Sequence, residues 1–82
     1  MPTVLRFEGL RVVIYPNDHG PAHVHVIGRG CEAVFHLNCP CGKVELQENY
    51  GVSRREVRRI KHALASNRAM LCEAWESIYG NT

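Results

Sequence analysis

The chain has 82 residues, of which 45% are hydrophobic and 22% charged, with a net charge of +2. That length holds one domain with a modest core, burying about 60% of the surface the unfolded chain exposes. No apolar run approaches the roughly 18 residues of a membrane span, and the opening MPTVLRFEGL lacks the apolar core and cleavage site of a signal peptide. These features lead us to expect one cytoplasmic domain (residues 1–82) with no membrane association and with its four cysteines as reduced thiols.

Residues 3–7 and 10–15 read as two short strands joined at Glu8-Gly9, a hairpin signal with Gly in the turn. The next eleven residues, PNDHGPAHVHV (16–26), hold three of the five histidines. Their first half cannot be regular helix or strand, because proline fixes φ, glycine is permissive, and Asn and Asp bond their own backbone in turns. Their second half alternates like a strand, so His23 and His25 share a face. A third strand is expected at 22–27 and a fourth at 31–37.

The register of these two strands can be derived. Val24 and Val26 share one face of the third; Ala33, Phe35 and Leu37 share one face of the fourth. Pairing Val24 with Phe35 keeps the apolar faces together and leaves Arg29-Gly30 as the tip. It also sets His23 opposite His36, with Cβ atoms about 5 Å apart and His25 diagonal to them. The segment NCPCG (38–42) is irregular, and 43–46 is a short edge strand or extended loop.

Ser53 followed by Glu56 is a capping box, so a helix should begin at Arg54. Val57, Ile60, Leu64, Leu71, Trp75 and Ile78 recur at three- and four-residue steps and form its buried stripe. Unbroken, about 26 residues would make a rod of about 39 Å, long for this sheet. Either the helix breaks near Ser66-Asn67, with Asn67 capping a second segment, or its far end packs on a second copy as a homodimer. Gly80-Asn81 would end it. The fold expected is α+β: a small antiparallel sheet of four to five strands (residues 3–46), then a C-terminal helix or broken helix pair (53–79) on one face.

Three groups of residues carry candidate chemistry. His23, His25 and His36, with His19 and Asp18 arriving from the turn, could serve as general acid and base or be the polar outer face of a sheet. The same His23, His25 and His36 are a weaker candidate for zinc, and otherwise no cofactor is indicated. Cys39-Pro40-Cys41 is spaced more tightly than the usual zinc pair, and Cys31 and Cys72 fit as buried small hydrophobes. Five of the ten basic residues lie between Arg54 and Lys61. Arg54 and Arg55 oppose the helix dipole, so Arg54, Arg55, Arg58 and Lys61 suit an RNA or DNA phosphate or an acidic protein, against the alternative of a solvated face.

The run PNDHGPAHVHV, together with Gly30, Glu32-Ala33, Leu37, Val44-Glu45-Leu46, Asn49, the stretch GVSRRE and Trp75, resembles a family of small bacterial proteins of unknown function. Its signature reads N-D/E-H-x-P-x-H-x-H, and the resemblance covers nearly the whole chain. The Cys-Pro-Cys segment departs from it. The resemblance implies one half of a two-gene, toxin–antitoxin-like pair, with a small protein encoded alongside as partner. It draws attention to Asp18, His19, Pro21, His23 and His25 without assigning them roles. Two functions follow as expectations: action on RNA or translation through the histidines and the basic helix face, or a non-enzymatic regulator that binds DNA or its partner. Metal binding is a third.

Overall fold

Two dipeptides, Glu8-Gly9 and Arg29-Gly30, set the sheet. In the computed structural model, which describes residues 3–15, 21–39 and 42–79, all four residues have positive φ: 50° and 79° in the first pair, 52° and 75° in the second. Two-residue tips of this kind twist in the same sense as the strands they join. The first turns β1 (Thr3–Phe7) into β2 (Leu10–Val13), and the second turns β3 (His23–Gly28) into β4 (Cys31–His36). The tips lie against each other. A Cβ on Gly28 would come within 2.7 Å of the Gly9 carbonyl oxygen, so only glycine fits there.

With β5 (Glu45–Tyr50) the sheet is antiparallel in the order β1-β2-β3-β4-β5. The expected register holds: Val24 pairs with Phe35, and His23 with His36. Leu37 N–H donates to the Ala22 carbonyl at 3.0 Å and adds one rung beyond the paired strands. The sheet runs four residues further than expected, to Tyr50. All six residues of β5 are exposed, so ELQENY has no alternation to read. Its hydrogen bonds to β4, across a bulge between Val34 and Phe35, make it a strand.

The helical part divides as the length argument allowed, into α1 (Arg54–Ser66) and α2 (Arg68–Tyr79). Ser53 caps α1, its hydroxyl accepting from Glu56 N–H at 3.1 Å. The Glu56 carboxylate faces Arg29 instead of returning to the cap, at 3.1 Å. Arg29 also donates to the Glu8 carbonyl, and Arg59 pairs with Glu8, so both hairpin tips hold the start of α1. Asn67 closes α1 and does not cap α2 with its side chain: that amide donates to the Ala63 carbonyl at 2.9 Å. Its own carbonyl accepts from Leu71 N–H at 3.0 Å. With the break, no long rod projects past the sheet.

Val12, Ile14, Val24, Val26, Phe35 and Leu37 form the core with Ile60, Leu64 and Leu71 from the helices. Val57 and Trp75, expected to be buried, are only half-buried and flank it. The expectation of four reduced thiols is overturned for two of them: Cys39 and Cys72 form a disulfide, with Cα atoms 5.9 Å apart, whereas Cys31 is a free thiol. Cys72 does lie on the inward side of α2, but at the rim, where the segment after β4 comes alongside it. The bond removes the thiol-based argument for a reducing compartment. No described helix is long and apolar enough to cross a membrane.

Candidate functional site

Strand pairing arranges the face opposite the core in rows. One row reads Arg6, Arg11, Ile27, Glu32, Tyr50; the next Val13, His25, Val34, Glu48; the third His23, His36, Glu45. Val13 and Val34 are buried on either side of His25. The His25 side chain is itself only 16% exposed. A β-strand sends alternate residues to opposite sides, so the strands that supply Val24 and Phe35 to the core also supply the histidines to this face.

The imidazoles are held in defined orientations. His25 Nδ1 donates to Glu32 Oε2 at 2.9 Å, and His23 Nδ1 donates to the Pro21 carbonyl at 2.9 Å. In the neutral rings these bonds leave the lone pair on Nε2. Ring centroids are 5.4 Å apart for His23 and His25, and 6.3 Å for His23 and His36. Tyr15 meets His25 edge-on at 4.5 Å, and Trp75 lies 5.1 Å from His23. Trp75 arrives from α2, which the Cys39–Cys72 bond draws across the end of the sheet where β4 finishes.

Asp18 and His19 lie outside the described residues. The His23 ring lies between those of His25 and His36 as neighbours on one face. Tyr15, Glu32 and Trp75 join them and were not anticipated. Glu32 was legible once the register was known, because the residue two before Val34 is diagonal to His25. Trp75 was not, since its helical spacing reads only as core. Arg6 and Arg11, directly opposite each other on this face, were also missed. Among the described residues neither forms an ion pair, and like charges in direct opposition cost stability.

Among the described residues no group of three or more His, Cys, Asp or Glu side chains is arranged to hold a metal. At the sheet's edge the Tyr50 hydroxyl donates to Glu48 at 2.6 Å, and this bond to a carboxylate pushes the phenol above its usual range.

The basic stripe is elsewhere. Ile60 and Leu64 face the sheet's inner side, so α1 and the histidines are separated by the thickness of the sheet. Arg54 and Arg55 stand exposed on the first turn. Arg58 and Lys61 line a cleft toward the β4–β5 connection. No small substrate touches both the stripe and the histidines.

Residues 9–76 match a family model described as a domain of unknown function, DUF4160. The chain belongs to that family. The match begins in the first hairpin tip at Gly9 and takes in β2 to β5, the histidines, α1 and α2 as far as Glu76. Comparison with curated proteins and with solved structures gives no match.

Proposed function

We propose that the chain is one half of a bacterial toxin–antitoxin-like pair, with a small operon-encoded partner, and that its histidine face acts on RNA in the cytoplasm by metal-free acid–base chemistry. The observation that supports this reading is the His25–Glu32 pair with His23 beside it, both rings tied through Nδ1. Glu32 orients His25 as the carboxylate of a triad orients its imidazole. His25 Nε2 takes the proton of a ribose 2′-hydroxyl, whose oxygen attacks phosphorus. The bond to the 5′-oxygen breaks, and His23 in its imidazolium form protonates that oxygen. The products are a 2′,3′-cyclic phosphate and a 5′-hydroxyl. Arg6 and Arg11 offer charge for the backbone, and Trp75 and Tyr15 border the histidines.

The test is incubation of the purified chain with a short RNA, its DNA counterpart and a chelator. Cleavage should survive chelation, spare the DNA and leave cyclic phosphate ends. His25→Gln should slow it about 10²–10⁴-fold with an unchanged melting temperature. Intact RNA in every condition, including with the chain freed of its partner, overturns the reading. The separation of α1's cations from the histidines favours a second reading, a non-enzymatic regulator that holds DNA or its partner on the helix face alone. In that case His25→Gln changes nothing, while Arg54→Ala/Arg58→Ala weakens binding.

A further inference from the structure

Between α1, the start of α2 and the β4–β5 connection lies an open cleft of about 540 Å³. Lys43 comes from the connection, Arg58 and Lys61 from α1, and Arg68 from α2. Three separately placed segments thus bring four cations to one hollow, which a solvated helix face does not require. Arg68 is fixed there: its Nε donates to the Leu37 carbonyl at 2.8 Å and one terminal nitrogen to the Asn38 carbonyl at 2.7 Å. Among the described residues Lys43, Arg58 and Lys61 form no ion pair. The one carboxylate on the rim, Glu45, is approached by the Asn38 amide at 3.4 Å.

Gathering four like charges around one rim carboxylate, with no ion pair to Lys43, Arg58 or Lys61 among the described residues, costs stability, and a bound dianion removes that cost. A planar guanidinium already anchored on two carbonyls, next to flexible ammonium groups, is the donor set that phosphate recognition uses. We infer that this cleft is a phosphate-binding site, filled by the phosphate of a free nucleotide or of an RNA strand. It lies across the sheet from His25, so the site binds and does not cleave. The inference is independent of the histidine reading.

The test titrates the chain with inorganic phosphate, adenosine monophosphate and a short single-stranded RNA at about 0.15 M salt, following side-chain and backbone NMR shifts. All three probes should move signals of Lys43, Arg58, Lys61 and Arg68. Arg58→Gln/Lys61→Gln should weaken them about tenfold or more per lost contact. Arg54→Gln/Arg55→Gln, which removes the same charge outside the cleft, should weaken them by less than about threefold, since distant surface charges are screened. Both pairs are exposed, and equal melting temperatures verify folding. RNA binding tighter than the mononucleotide identifies a strand as the source; equal affinities identify a free nucleotide. Equal loss in both double variants, or no shifts at the cleft with any probe, overturns the inference. His25→Gln should leave the inorganic phosphate and adenosine monophosphate titrations of the cleft unchanged, so absence of RNA cleavage does not bear on them.

Discussion

The two faces of the sheet are made from the same strands and differ in almost every physical respect. On the inner face Val12, Val24, Phe35 and Leu37 lie fully buried under the helices. On the outer face His23, His25, Glu32 and His36 are half-buried, with Arg6 and Arg11 beyond them. The inner face is dry and non-directional, so it stabilises through area removed from water. Around the histidines the outer face is ordered by hydrogen bonds and ring contacts, which contribute orientation more than stability. Core and polar residues thus alternate along β3, whereas on the outer face Val13 and Val34 are buried around His25 and add apolar area of their own.

Replacing adjacent residues of β4 tests this division most severely. Phe35→Ala should cost about 3–5 kcal/mol, by lost transfer energy and the cavity left behind. His36→Ala, one residue on and facing the other way, should cost under about 1 kcal/mol. Urea unfolding of both variants measures the gap; equal losses would erase the distinction between the faces.

A smaller effect is expected where the faces meet. The Cys39–Cys72 bond joins residues 33 apart in sequence and holds α2, and with it Trp75, at the sheet's end. Reduction should cost about 2–4 kcal/mol. It should also change the emission of Trp75, the chain's one tryptophan, before the sheet unfolds. Unchanged stability and unchanged emission under reductant would mean that packing of Leu71 and its neighbours, with the Arg68 bonds to the Leu37 and Asn38 carbonyls, holds α2 without the disulfide.

The smallest effect lies wholly on the helix side. Ser53→Ala should lower stability by about 1 kcal/mol through loss of the N-cap bond to Glu56. Neither the Trp75 emission nor any activity of the histidine face should change with it. A change in either would couple the start of α1 to the opposite side of the sheet and blur the comparison.

Period and local chemistry are readable from the residues alone. Both X-Gly tips, the pairing of His23 with His36 and the start of α1 at Arg54 follow from alternation, from residues that accept positive φ, and from a cap. Each is decided within a few residues, so the text carries it. Packing in three dimensions sets the remainder. β5 exists because β4 offers it a ladder, not because ELQENY alternates. Cys39 meets Cys72 because the break at Asn67 lets α2 lie back over the sheet's end, and that turn also brings Trp75 to His23. Lys43 and Arg68 reach Arg58 and Lys61 only after the helices have packed. These contacts join residues whose separation in sequence has no period, so their pairing is set by how the elements pack in space.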